Sequence, residues 1–128
     1  MSAVLHLKKY VVNKCSADFD LIKSEDNTID FSFTFSTLIP KDSDKKNCTI
    51  RITITMQNKG NTIFSFELKS FYIIESEKVF SDEEINTLLK EQGFKDTYKK
   101  ALDYVNNFCS ISNISPIPMP SFDEVMTQ

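Results

Sequence analysis

Two stretches of strict two-residue alternation do most to limit what this chain can become. Ile29, Phe31, Phe33 and Phe35 alternate with Asp30, Ser32, Thr34 and Ser36. Cys48, Ile50, Ile52, Ile54 and Met56 alternate in the same way with Thr49, Arg51, Thr53, Thr55 and Gln57. Successive side chains of a strand point to opposite faces, so each stretch reads as a strand with one apolar and one polar face. Residues 3–12, with Val4, Leu5, Leu7, Tyr10, Val11 and Val12, have the β-branched and aromatic content of a further strand. Asn58-Lys-Gly-Asn61 is a tight-turn signal and predicts a hairpin between the strand before it and one carrying Phe64, Phe66 and Leu68 on one face. Residues 40–47 form a polar loop. At Phe71, Tyr72, Ile73 and Ile74 the alternation gives way to residues apolar on both faces. That end of the strand is predicted to be covered, by the helical segment that follows or by a partner subunit.

The pattern then changes to a helical one. Ser81-Asp-Glu-Glu84 is a capping box, in which Ser81 caps the helix and Glu84 reaches back to its amide. Asp82 and Glu83 place negative charge where the helix dipole favours it. Ile85, Leu88 and Leu89 give an apolar stripe, and Gly93 suits a left-handed helix stop. A second helix is predicted from about Lys95 to Cys109, with Tyr98, Ala101, Leu102, Val105, Phe108 and Cys109 on one face. The predicted fold is α+β: a four-stranded antiparallel sheet with a short and a long C-terminal helix packed on one face, in a single domain over residues 1–128. Long strands with a Ser/Thr outer face and few charges to block edge pairing predict a homo-oligomer, a dimer or a tetramer.

The last segment obeys neither periodicity. Pro116, Pro118 and Pro120 forbid regular helix and lack amide donors. Yet Ile114, Ile117, Met119 and Phe122 are not solvent residues. An extended apolar strap has to lie against something: its own sheet, a sister subunit or a client chain.

Several chemistries find no support. Only 2 Gly are present, and neither a Walker A loop nor a dinucleotide fingerprint occurs. Net charge is −3, unlike an electrostatic nucleic-acid binder. Cys15, Cys48 and Cys109 lie far apart without CxxC spacing, which argues against structural zinc and a disulfide framework. Cys48 and Cys109 fall on apolar faces and read as small buried hydrophobes, while Cys15 stands beside Lys14. His6 reads as a strand residue facing solvent or an interface. Glu75 and Glu77 read as one face of a solvated strand end. Asp42 and Asp44 share their loop with Lys41, Lys45 and Lys46, which would oppose a cation. No catalytic, metal or cofactor set is therefore assigned. No signal peptide is visible, and no apolar run reaches the roughly 20 residues that span a bilayer. These readings predict a cytoplasmic protein with reduced thiols and no integral membrane segment.

The order of parts resembles the SecB family of protein-export chaperones. Phe66-Glu-Leu-Lys-Ser-Phe-Tyr-Ile-Ile74 is similar to the family's fourth strand, and Thr97-Tyr-Lys-Lys-Ala-Leu-Asp-Tyr-Val105 to the start of its long helix. Asn113-Ile-Ser-Pro-Ile-Pro-Met-Pro-Ser-Phe122 resembles its proline-rich tail, with Asp123 following. The family's double glycine is absent, with Asn113 and Ile114 in its place. The proline in the long helix's first turn is replaced, and Phe71-Tyr72 stands where a small residue is common. The resemblance implies a non-enzymatic, ATP-independent holdase that binds unfolded or precursor polypeptides in a hydrophobic groove and hands them to SecA. The residues assigned to that groove are Leu38, Phe71, Tyr72, Ile73, Tyr98, Ile114, Ile117 and Met119. The family's SecA docking is attributed to an acidic sheet face. Here the outward residues are neutral apart from Arg51, and the acidic ones are scattered, so the handover is expected to be lost or changed. The competing readings are a small apolar-ligand carrier, a purely structural oligomer and a dedicated antitoxin-type or partner-specific chaperone; an enzyme ranks last.

Overall fold

A computed structural model describes residues 4–18, 20, 28–39 and 46–127 of the chain. The predicted loop aspartates and most of the loop over residues 40–47 lie outside these. Four strands, β1 (Val4–Ala17), β2 (Asp30–Leu38), β3 (Asn47–Asn58) and β4 (Asn61–Glu75), form one antiparallel sheet in the order β1-β4-β3-β2. The predicted hairpin joins β3 to β4. Lys59 and Gly60 both take positive φ there, 51° and 83°, which a two-residue turn matched to strand twist requires. β1 runs five residues past its predicted end at Val12, to Ala17. Register shifts between Leu7 and Lys9 and between Val12 and Lys14 break the alternation that would have made this length legible.

Alternation sets the two faces of the sheet. Ile50, Ile52, Ile54 and Met56 of β3, and Phe64, Leu68 and Ile74 of β4, are wholly or almost wholly buried on an inner face. Phe31, Phe33 and Phe35 of β2 extend that face toward the edge and stay half-buried. Among the described residues the helices pack on this side. α1 (Asp82–Leu88) begins with the predicted capping box, Ser81 and Glu84 each satisfying the other's amide. The long helix α2 (Phe94–Ile111) buries Phe94, Tyr98, Ala101, Val105 and Cys109. A terminal turn, α3 (Phe122–Met126), opens with a second capping box at Ser121 and Glu124. The sequence reading missed α3, although its Ser-x-x-Glu spacing is the same signal that located α1.

The left-handed stop predicted at Gly93 does not form. Gly93 has φ −87° and ψ −37°, and a π-helical segment, Leu89–Gly93, carries α1 into α2 without a break. The glycine serves a close approach instead. A Cβ at this position would lie 2.4 Å from Ile50 Cδ1 and 3.3 Å from Leu5 Cδ1. The wider π turn lets the helix settle onto the sheet where only a hydrogen atom fits. The true stop is Asn113, with φ 56°, and the Ile114 amide bonds back to the Cys109 carbonyl at 2.9 Å. Asparagine tolerates the left-handed region, so Asn113 supplies the turn that precedes the prolines.

Candidate functional site

From Asn113 the chain leaves α2 and crosses the inner face toward β2. The prolines hold it extended, and three anchors fix its path. Ile117 is 7% exposed and joins the core cluster that contains Tyr98 and Val105. The Tyr98 hydroxyl donates to the Pro120 carbonyl at 2.6 Å. Beyond Ser121, Val125 is buried, and the Phe122 ring meets Phe35 edge-on at 6.5 Å and Tyr98 at 6.1 Å. The strap is thus core on one side. Ile114, Met119 and Pro120 are half-buried.

Beside the strap lies an open depression of about 570 Å³, lined by Ile29, Asp30, Phe31, Pro118, Met119, Pro120 and Glu124. Its floor is the beginning of β2, where the Phe31 and Phe33 rings stack at 5.9 Å. β2 pairs with β3 alone among the described residues and forms one edge of the sheet. The depression therefore combines a strand edge, which offers backbone hydrogen bonds, with an aromatic and thioether floor that accepts varied side chains.

The residues assigned to a groove from the sequence divide between the two faces. Tyr72, Tyr98, Ile114, Ile117 and Met119 are on the inner side. Leu38, Phe71 and Ile73 are on the outer side, where cross-strand pairing sets Leu38 opposite Thr49 and Thr49 opposite Phe71. Among the described residues the predicted cover over residues 71–74 exists on one side. Tyr72 and Ile74 are buried with Ile85, Leu89 and Phe94, whereas Ile73 is 37% exposed. Of the inner set, Met119 lines the depression. Tyr72 and Tyr98, at 3% and 1% exposure, are packing residues within this chain. Ile29 and Phe31 line the depression without having been assigned to it. Their alternation identified a strand, but only the strand order reveals that this strand is an edge.

The buried Tyr72 hydroxyl is matched, whereas the buried Ser70 Oγ has no hydrogen-bond partner among the described residues. The Tyr72 hydroxyl donates to Asp96 Oδ2 at 2.9 Å and lies 2.9 Å from Thr97 Oγ1. Burial, outweighing the Thr97 hydrogen bond and reinforced by the Asp96 carboxylate, raises the Tyr72 pKa well above the ordinary phenol value. Burial and then the Glu124 charge push Tyr98 up to about 12. Burial alone raises Cys48 to about 11, so this thiol stays protonated and behaves as a small hydrophobe, as predicted. Cys109 is buried and Cys15 exposed. His6 is exposed in β1 and bonds the Glu75 carboxylate. Glu77 lies beyond the end of β4, so it does not share a strand face with Glu75 as predicted. Among the described residues no group of three or more His, Cys, Asp or Glu is gathered as metal ligands, and no helix is long and apolar enough to cross a membrane.

The same architecture occurs in a solved structure, a SecB-like chaperone of Mycobacterium tuberculosis in complex with a ChAD peptide from the HigA1 antitoxin. The likeness covers 91% of this chain and 86% of that one, with a TM-score of 0.64 and 12% sequence identity. The chain has a SecB-like fold. No protein-family model matches the sequence, and no curated protein matches it. The resemblance read from the order of strands, helices and proline-rich tail is thereby matched in three dimensions.

Proposed function

We propose that this SecB-like chain is a polypeptide-binding chaperone or adaptor, an ATP-independent holdase that takes extended apolar segments beside its proline-rich strap. The observation that carries the reading is the open depression between the β2 edge and Met119. An unfolded chain exposes apolar side chains and unpaired backbone together. The depression offers a partner for each: Ile29, Phe31 and Met119 for the side chains, the strand edge for the backbone. Burial stabilises by roughly 25 cal/mol per Å², so several shallow contacts hold a client without directional chemistry. The likeness to a chaperone whose structure holds an antitoxin peptide supports a polypeptide as the ligand and keeps a dedicated, single-partner role within the same reading.

Of the assigned residues, Met119 and Ile114 contact the client directly in this proposal, and Tyr98 and Ile117 hold the strap in place. The chain works as a homo-oligomer, which lengthens the apolar path by joining copies. Precursor export is the process the resemblance implies. Client holding is retained, while a SecA handover through an acidic sheet face is not, because the outer face carries Lys9, Arg51 and Lys69.

The test mixes the purified protein with a chemically unfolded precursor and with a folded control, without ATP, and follows aggregation by light scattering. Suppression for the unfolded protein only is the expected result, weakened by Met119→Asp or Phe31→Asp in variants that keep the wild-type far-UV spectrum. Equal aggregation with and without the chain would remove the reading.

A further inference from the structure

The outer face of the sheet carries a second feature that the groove does not use. Three aligned rows cross it at the end farthest from the β3–β4 turn. Leu38, Thr49, Phe71 and Lys9 make one row, and Ser36, Arg51, Lys69 and Val11 the next. In the third, Asn47, Ile73 and His6 are in register. Among the described residues no helix packs on this side. Leu38 is 54% exposed, Val11 39% and Ile73 37%.

Cations stand among these apolar residues. Lys9 Nζ lies 5.3 Å from the centre of the Phe71 ring. Arg51 and Lys69 are direct cross-strand partners, a like-charge pairing that a sheet does not favour on its own account. Glu67 balances Arg51 at 3.6 Å, and Arg51 also donates to Ser36 Oγ at 3.0 Å. Among the described residues Lys9 and Lys69 have no acidic partner. Lysines on edge strands commonly serve to deter edge-to-edge pairing, which would account for Lys8 and Lys9 of β1. It does not account for Arg51 and Lys69, which stand on the central strands β3 and β4. Glu75, on the same face beyond Ile73, is held by His6, which leaves Lys9 and Lys69 as this face's unbalanced charges among the described residues, beside exposed apolar surface. Beneath Lys8, Lys9 and Phe71 there is a depression of about 330 Å³ that reaches Thr49.

We propose that this outer face docks an acidic polypeptide segment of a partner protein, one that carries apolar side chains between its carboxylates. The carboxylates meet Lys9 and Lys69, and the apolar side chains cover Leu38, Phe71 and Ile73. A nucleic acid suits the surface less well. The Lys9 ammonium already caps the Phe71 ring, so no open aromatic face is offered to a base, and the exposed Leu38 and Ile73 have no partner on a phosphate backbone. A second copy of the chain would set lysine against lysine. This docking is separate from the groove and does not depend on it.

The experiment uses the full chain and three labelled peptides followed by fluorescence anisotropy: an alternating Glu/Leu peptide, the same peptide with Gln for Glu, and the same with Lys for Glu. A single-stranded oligonucleotide serves as competitor. The acidic peptide is expected to bind about tenfold or more tightly than its Gln version, and to weaken as salt is raised. Lys9→Glu with Lys69→Glu removes that preference and transfers it to the Lys peptide, a gain that misfolding cannot produce. Ile73→Asp weakens the acidic peptide, and Lys95→Glu on the exposed side of α2 leaves it unchanged. Equal binding of the acidic and Gln peptides, retention of binding by the double charge reversal, or displacement by the oligonucleotide would overturn the assignment.

Discussion

Gly93 shows how one residue decides between two local outcomes. In a helix interior alanine is favoured over glycine by about 1 kcal/mol. Against this, the added methyl would meet Cδ1 of the wholly buried Ile50 at 2.4 Å, so that side chain would have to shift within the packed core. Overpacking of this kind costs about 1–3 kcal/mol, so the clash wins. Gly93→Ala is expected to lower the urea midpoint at unchanged slope, and a midpoint at or above wild type would show that π turn and sheet do not approach this closely. Tyr72 and Tyr98 set an alkaline limit. Both folded pKa values lie above the phenol's unfolded value near 10, and that of Cys48 lies above the thiol's. The folded chain thus keeps protons that the unfolded chain releases. Stability is full below about pH 9, where Cys48 begins to ionise in the unfolded state, and falls as pH rises toward 12. Tyr72→Phe is expected to lose about 1–2 kcal/mol at neutral pH, from the Asp96 and Thr97 hydrogen bonds. It should also flatten the decline above pH 10. Parallel wild-type and Tyr72→Phe curves of midpoint against pH would contradict this.

Among the elements, legibility followed the locality of the signal. β2, β3, the hairpin turn and the capped start of α1 were readable because alternation, turn residues and the Ser81–Glu84 spacing are complete within a few residues. The end of β1 was not, because its bulges shift the pattern, and the continuity of α1 into α2 was not, because a glycine kept for close approach looks like a glycine kept for a stop. The site was legible in part. Apolar character marked Leu38, Phe71, Ile73 and the strap, but which face each occupies depends on strand order, a property of no single segment. The strap makes the point testable. Ile117 is a core residue and Met119 is half-buried beside the depression. Ile117→Asp would bury a carboxylate in place of a packed side chain, with an expected loss of at least about 3 kcal/mol. Met119→Asp should cost under about 1 kcal/mol and weaken holding of an unfolded client. Thermal melts of the two variants, set beside their light-scattering curves, separate anchor from contact. Similar melting losses for both would make the whole strap core.

For the whole molecule the sheet is a partition. Its middle layer, from Ile50 to Met56 on β3 and from Phe64 to Ile74 on β4, is closely packed and shares no residue between the strap depression on one side and the Lys9–Phe71 surface on the other. A ligand on one side can alter affinity on the other only by changing a state that both read, and a packed sheet of this kind offers no second arrangement to select. The two proposed surfaces should therefore fill independently. With the depression saturated by an unfolded client, affinity for the acidic peptide is expected to change less than about twofold, a coupling below roughly 0.4 kcal/mol. The variants should dissociate in the same sense: Met119→Asp keeps the peptide and loses the client, while Lys9→Glu with Lys69→Glu does the reverse. Independence would let a partner hold the protein while the proposed client site stays filled. A tenfold fall in peptide affinity on client loading would instead mean that one long client wraps the sheet edge and occupies both faces, and the outer lysines would then belong to the client site.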